Sequence, residues 1–240
     1  MQTLLQKLVK FWRSKVHQPI TTLIATIGTV GIVSCLLIIY IVAQISDEVL
    51  DREAFAFDRI ILLWIHSLAN PTLDSIMQVI TRLNDPDVVS VIAGFALIIL
   101  LWRRCYPEAK IFVIDCAGGV ILSYGLKSVF GKVRPDLWES AIKEVSFSYP
   151  SGHALGSTVL YGFLAYLFAT RFRQFSWLIY LIAVLLISAI GLSRLYLGVH
   201  WPTDIIGGYG MGFLWLTLCI TMLKLQKLKQ AETQLSVENS

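Results

Sequence analysis

Long apolar stretches separated by short polar ones run through most of the chain. About 20 mainly apolar residues cross the hydrocarbon core of a bilayer as a helix. Stretches of this kind, bounded by charge or proline, predict six membrane-spanning helices, which lie at 20–45, 88–102, 111–130, 153–170, 177–199 and 202–223. The predicted fold class is therefore an all-α, polytopic membrane helical bundle that forms a single domain over residues 1–240.

The segment between the first two predicted spans, residues 46–87, contains an apolar stretch that is too short to cross. Its apolar residues are Phe55, Ile60, Ile61, Leu63, Trp64 and Ile65. This pattern predicts a helical segment lying in the membrane interface, and a helix packed on the outer face of the bundle explains it equally well. Residues 226–240 are polar, and we expect them to form an irregular tail.

The distribution of lysine and arginine orients the chain, because short cytoplasmic loops contain the excess of positive charge. Residues 1–19 are basic, whereas residues 46–87 contain eight acidic residues and three arginines. We therefore expect a cell-membrane protein whose two ends, 1–19 and 226–240, are cytoplasmic and whose segment 46–87 is outside. Five cations on the outer side break the rule and need another explanation: Lys127, Lys132, Arg134, Lys143 and Arg194.

Composition supports a membrane protein and excludes other classes. Hydrophobic residues make up 56% of the chain and charged residues 15%, with a mean hydropathy of +0.68. The formal charge of +4 is scattered in short clusters between apolar runs, so nucleic-acid binding is not expected. We expect the protein to be embedded in the bilayer. Its four cysteines predict neither a disulfide framework nor a zinc site.

Three polar stretches lie at the predicted outer ends of the spans, at residues 127–135, 149–153 and 193–204. If these ends pack together, Lys127, Arg134 and Arg194 converge. Charged side chains at membrane depth are costly and usually functional, and three cations require an anion. Arginine offers a planar fork and lysine a point charge, which together suit a tetrahedral oxyanion such as phosphate.

The second stretch places Ser151, Gly152 and His153 where an apolar helix begins. Unpaired N–H groups at a helix N-terminus favour phosphate. Gly152 permits a close approach of the backbone, and Ser151 can donate its hydroxyl group. A serine in this position considered alone is more often a plain N-cap.

Two histidines in one anion pocket suggest that one attacks phosphorus while the other protonates the leaving oxygen. His200 is the better nucleophile, since Asp204 can accept the N–H of its other nitrogen, with His153 as general acid. Pro202 places His200 just before a helix, so helical spacing does not guarantee this contact. Asp204 alone would equally suit the helix dipole. Only one carboxylate lies within the motifs, whereas a divalent-metal site needs several, so we expect neither metal nor cofactor.

The stretches Lys-x6-Arg-Pro, Pro-Ser-Gly-His and Ser-Arg-x5-His-x3-Asp resemble, in order, the signatures of the type 2 phosphatidic acid phosphatase and vanadium haloperoxidase superfamily. The resemblance implies a phosphohistidine at His200 supported by Asp204, with His153 as acid and then as water activator. It implies phosphate binding by a further set, Lys127, Arg134, Ser151, Gly152 and Arg194. The membrane members of the family also share the six-span arrangement.

The location of the motifs at a membrane face predicts a lipid phosphate as substrate. The expected reaction hydrolyses a phosphomonoester or diphosphate of a lipid, such as undecaprenyl diphosphate, phosphatidylglycerol phosphate or phosphatidate. A lipid phosphotransferase would use the same intermediate. A transporter or binder of anionic lipids would not need two histidines and Asp204, and the membrane spans argue against vanadate-dependent halide oxidation.

Two further features have predicted roles outside the reaction. Lys132 and Trp201 neighbour the motifs, where we expect contact with the headgroup region. Four glycines at the start of the last predicted span are expected to permit close helix packing; they are Gly207, Gly208, Gly210 and Gly212.

Overall fold

The computed structural model describes residues 28–50, 56–138, 140, 142 and 144–238, and every regular element in these ranges is helical. The helices are α1 Thr29–Leu50, α2 Ala56–His66, α3 Pro71–Arg82, α4 Pro86–Trp102, α5 Tyr106–Phe130, α6 Gly152–Arg171, α7 Ser176–Tyr196 and α8 Pro202–Glu238, with a 3-10 turn at Arg173–Phe175. The predicted all-α fold class is confirmed.

The helices include five that are long and apolar enough to cross a membrane among the described residues: α1, α5, α6, α7 with the turn before it, and α8. A sixth span exists if α3 and α4, which meet at a bend of 45°, are counted together. The chain is thus a multi-pass membrane protein. The predicted basic segment 1–19, and the start of the first predicted span at residues 20–27, lie outside the described residues.

Several predicted boundaries differ from the structure, and two of the differences have a clear physical cause. The fifth span was expected to reach residue 199, but α7 ends at Tyr196 because the following turn contains Gly198 in the left-handed conformation, with φ of +70°. The expected irregular tail is wrong over residues 226–238, since α8 continues to Glu238. This extension contains no glycine or proline and is rich in residues that favour helix.

The centre of the bundle is α6, which contacts α5, α7 and α8. Its side chains Leu155, Val159, Leu160 and Phe163 are each at most 2% exposed. Glycines let α8 approach closely: a Cβ at Gly208 would lie 2.7 Å from the Ser151 carbonyl oxygen, and the three other glycines are similarly crowded. The predicted packing role of these four glycines is confirmed.

Segment 46–87 contains α2 and α3, which pack on the bundle. α2 contacts α7 and α8, and α3 contacts α7. Asp58 and Leu62 on α2 are buried, whereas Ile60 and Trp64 are 66% and 63% exposed. One side of α2 therefore belongs to the protein core, and the other side exposes apolar residues.

Replacing Gly208 with alanine tests the close contact between α6 and α8. The added methyl group would lie 2.7 Å from a backbone oxygen and 2.8 Å from the Ala154 side chain, so we expect a loss of about 1–3 kcal/mol. Gly125→Ala is the matched control, because a Cβ there meets nothing within 4 Å and should gain up to about 1 kcal/mol. Melting temperatures in detergent measure both, and equal values would contradict the packing described.

Candidate active site

The three polar stretches meet at one end of the bundle, where α5 and α7 end and α6 and α8 begin. Gly131, with φ of +58°, ends α5 and turns the chain into the loop that precedes α6. The Ser151 N–H donates to the Asp204 carbonyl oxygen at 3.0 Å, which joins the second and third stretches. A cavity of about 380 Å³ at this end is lined by residues of all three, including Lys127, Arg134, Gly152, His153 and His200.

His200 and Asp204 form a buried pair, with exposures of 1% and 0%. His200 Nδ1 lies 3.2 Å from Asp204 Oδ2, and His200 Nε2 lies 3.3 Å from Arg134 Nη1. A guanidinium can only donate, so Nε2 accepts and Nδ1 carries the hydrogen that faces the carboxylate. The pair forms despite Pro202 because the Trp201 N–H also donates to Asp204 Oδ2, at 2.8 Å, and closes the turn.

The surroundings of His200 favour its neutral form. Burial lowers its pKa to about 3, although the contact with Asp204 acts in the opposite direction. The positive charges of Arg194 and Arg134 also lower this pKa. The imidazole is therefore neutral at pH 7, with an unprotonated Nε2 beside the cations.

Arg134 and Arg194 are held in place by several acceptors. Arg134 donates from Nε to the Ser146 carbonyl oxygen at 2.7 Å and from Nη1 to the Val199 carbonyl oxygen at 2.6 Å. Arg194 is 1% exposed and donates from Nη1 to Thr81 Oγ1 at 2.9 Å. Its Nε is buried with no acceptor among the described residues, so an oxyanion at this point would satisfy it.

The third predicted cation, Lys127, is also buried, with an exposure of 7%. Its ammonium group donates to the Phe147 carbonyl oxygen, which also accepts from Arg134 Nη2 at 3.3 Å. The lysine and the arginine therefore meet at the same loop carbonyl, on the wall of the cavity.

A carboxylate lies between the two arginines. Glu144 Oε1 forms an ion pair with Arg194 Nη2, and Glu144 Oε2 lies 3.7 Å from Arg134 Nη2. Burial raises the pKa of Glu144, but the combined charges of Arg194 and Arg134 outweigh it and keep the pKa below its ordinary value. Glu144 is thus ionised at neutral pH and balances part of the positive charge.

His153 faces a different partner. Its Nε2 lies 3.1 Å from Asp85 Oδ1, at the residue that precedes α4. Ser151, one of the predicted phosphate ligands, is fully buried and caps α6, with its Oγ accepting from the Ala154 N–H at 3.4 Å. The structure therefore gives Ser151 the N-cap position; its contact with phosphate stays a prediction.

Sequence reasoning missed several residues of the site. Glu144, Asp85 and Ser148 lie outside the motifs, and the Ser148 hydroxyl donates to Asp204. The expected headgroup contact of Lys132 is wrong, because its Nζ lies 2.9 Å from Asp204 Oδ1. Lys143, another of the cations that break the charge rule, lies outside the described residues. The described residues contain no group of three or more His, Cys, Asp or Glu side chains placed to hold a metal ion.

The cavity also has an apolar arm between α4, α5 and α6. Its lining includes Cys116, Val120, Val159 and Leu160. Cys116 precedes Lys127 by 11 residues on α5, which corresponds to about 16 Å of helix. The arm therefore extends from Lys127 and Arg134 well into the interior of the bundle.

Comparison with known proteins identifies similar chains. Residues 108–227 match the model of the PAP2 superfamily. Phosphatidylglycerophosphatase B of Bacillus subtilis is 30% identical over 182 residues, covering 71% of this chain and 80% of the relative. An undecaprenyl-diphosphatase of Sulfolobus acidocaldarius is 31% identical over 120 residues, covering 48% and 55%. The crystal structure of the first transmembrane PAP2 type phosphatidylglycerolphosphate phosphatase from Bacillus subtilis has a TM-score of 0.66 and 25% identity, covering 78% and 92%.

Removing the charge of Glu144 is expected to strengthen anion binding. Glu144→Gln leaves Arg134 and Arg194 without their internal carboxylate, so orthovanadate should bind about tenfold more tightly, equivalent to about 1.4 kcal/mol. Thermal stabilisation by orthovanadate in detergent measures the affinity. Glu108→Gln, which breaks the ion pair with Lys227 at the opposite end of the bundle, should change nothing. Unchanged or weaker binding by Glu144→Gln would show that Glu144 does not compete with the anion.

Proposed function

The chain belongs to the PAP2 superfamily, and we propose that it is a membrane enzyme that removes a phosphate group from a lipid. The proposal rests on the His200–Asp204 pair, in which the unprotonated Nε2 of His200 faces Arg134. Lys127 and His153 line the same cavity. A nucleophile, cations for the phosphate and a second histidine are thus within one space.

In the first step, the phosphate is bound by Lys127, Arg134 and Arg194, with help from Ser151 and Gly152 at the start of α6. His200 Nε2 attacks phosphorus, and the bond to the leaving oxygen breaks. Asp204 accepts a hydrogen bond from the Nδ1–H and stabilises the positive charge that develops on the ring. His153 gives its proton to the leaving alkoxide, or to the leaving phosphate if the substrate is a diphosphate.

In the second step, water hydrolyses the phosphohistidine. His153, now neutral, takes a proton from the water, whose oxygen attacks phosphorus. The bond to Nε2 breaks and inorganic phosphate leaves, so both histidines return to their starting states. Asp85 accepts a hydrogen bond from His153 Nε2, which supports a fixed ring orientation in both steps.

The apolar arm supports a lipid as the substrate. A phosphate bound at Lys127 would have the arm beside it, and Val120, Val159 and Leu160 offer apolar contact to a hydrocarbon chain. The Bacillus subtilis relative is named for phosphatidylglycerophosphate and the Sulfolobus acidocaldarius relative for undecaprenyl diphosphate. We propose these two lipids, together with phosphatidate, as candidate substrates.

The orientation of the bundle supports a site on the outer side of the membrane. The turns at the opposite end contain Arg103, Arg104, Arg171 and Arg173, and α8 continues there with Lys227 and Lys229. Since cytoplasmic segments contain the excess of positive charge, we propose that this end is cytoplasmic. The active site then faces the periplasm or the exterior, at headgroup depth.

Phosphate release in the presence of a chelator tests both the reaction and its independence of metal. Detergent-solubilised protein should release phosphate from at least one of the candidate lipids in EDTA. His200→Ala should lower the rate by at least about a thousandfold, as for loss of other nucleophiles. Loss of activity in EDTA that magnesium restores would contradict the metal-free mechanism, and a folded protein that releases nothing would contradict the proposed reaction.

Narrowing the apolar arm tests the site proposed for the lipid chain. Val120→Trp would displace a few methylene groups of a bound chain, at about 0.8 kcal/mol each, and should lower kcat/KM for a long-chain lipid about tenfold. Activity on a water-soluble phosphomonoester should be unaffected. Ile121→Trp is the control, since Ile121 is 72% exposed on the same helix. Equal losses on both kinds of substrate would contradict this location.

A further inference from the structure

Lys132 lies behind the catalytic pair proposed above, on the opposite side of the carboxylate from His200. Its Nζ contacts Asp204 Oδ1 at 2.9 Å, whereas His200 contacts Asp204 Oδ2. The two oxygens of one buried carboxylate are therefore bound from two sides. Lys132 thereby restricts rotation of the carboxylate and keeps Oδ2 directed at the imidazole.

Lys132 is itself held by residues of α8 and α2. Its Nζ donates to Thr203 Oγ1 at 2.7 Å, and the Thr203 hydroxyl donates to Asp58 Oδ2 at 2.6 Å. Asp58 Oδ2 also lies 3.7 Å from Lys132 Nζ. A second bond from the Thr203 N–H to Asp58 Oδ1, at 3.0 Å, fixes Asp58 at the start of α8.

The charges of Asp58 and Asp204 explain why a positively charged residue is needed between them. Asp58 and Asp204 are 4% and 0% exposed, and two buried carboxylates close together favour protonation of one of them. Lys132, with a side chain that is 15% exposed, lies between them and compensates their charge. Without the ammonium group, protonation of Asp204 would become more favourable and would weaken it as the acceptor for His200.

We propose that Lys132 and Asp58 are positioning residues for the proposed nucleophile, acting through Asp204. The inference rests on the proposed function, because it assigns His200 the attack on phosphorus. Lys132 orients Asp204 and keeps it ionised, and Asp58 holds Lys132 in place. The outer segment, which contributes Asp58 through α2, is then connected to the reaction centre.

Steady-state kinetics of Lys132→Met distinguish positioning from phosphate binding. We expect kcat to fall about 10- to 100-fold, the loss that is typical when a residue supporting a functional side chain through a hydrogen bond is removed. KM and the orthovanadate inhibition constant should change less than about threefold, since Lys127, Arg134 and Arg194 remain. Lys132→Arg should recover most of the activity, because a guanidinium can bridge the same two carboxylates. Lys110→Met, at an exposed lysine near the opposite end of the bundle, is the charge-matched control.

A double-mutant cycle tests whether Asp58 acts through Lys132. Asp58→Asn keeps an oxygen for the Thr203 N–H and removes the charge, and we expect a smaller loss of kcat than for Lys132→Met. The variant with both substitutions should lose no more than Lys132→Met alone, because Asp58→Asn keeps the contact with the Thr203 N–H and so changes Asp204 only through Lys132. A loss equal to the product of the two single losses would overturn the connection through Lys132.

The outcomes separate this inference from the proposed function. Wild-type protein without phosphatase activity would contradict the proposed function itself. Active wild type together with a Lys132→Met variant that has raised KM, weakened orthovanadate inhibition and unchanged kcat would show instead that Lys132 binds the phosphate. Orthovanadate binding by each variant, measured by thermal stabilisation, verifies folding independently of turnover, and Lys132→Arg and Asp58→Asn test the proposal with smaller changes.

Discussion

The buried carboxylate of Asp204 is the constraint that organises the end of the bundle where α6 and α8 begin. A carboxylate without exposure to water is tolerated only when it is paired and hydrogen-bonded. Asp204 meets this requirement with donors from separate parts of the chain: Lys132 and Ser148 from the loop before α6, and His200 and the Trp201 N–H from the turn before α8. The same contacts that make this charge stable also fix the orientation of His200.

The positive charges of the site are also partly neutralised within the protein. Arg194 is almost fully buried and is paired with Glu144, which also lies near Arg134. The loop between α5 and α6 supplies this carboxylate, along with carbonyl oxygens for Lys127 and Arg134. An oxyanion entering the cavity would thus replace a negative charge that the protein already provides, rather than meet three uncompensated cations.

The sequence contained enough information for the fold class and for the motif residues, because both depend on local patterns. Span length follows from hydrophobic runs, and the three motifs lie where spans end; the family resemblance is confirmed by the match over residues 108–227. Glu144, Asp85 and Asp58 could not be found this way, since each is an acid outside the three motifs. Their partners are 50, 68 and 145 residues away along the chain, so only tertiary packing reveals them. The catalytic roles of the motif residues stay predictions.

In the proposed reaction, His200 forms a covalent bond to phosphorus through Nε2. The most direct test mixes the protein with a radiolabelled lipid phosphate and quenches the reaction rapidly with alkali, because phosphohistidine is labile in acid. The labelled peptide is then mapped. We expect the radiolabel on His200, attached at Nε2, and no label in the His200→Ala variant. Label on another residue, or full turnover without any label under conditions that preserve phosphohistidine, would contradict it.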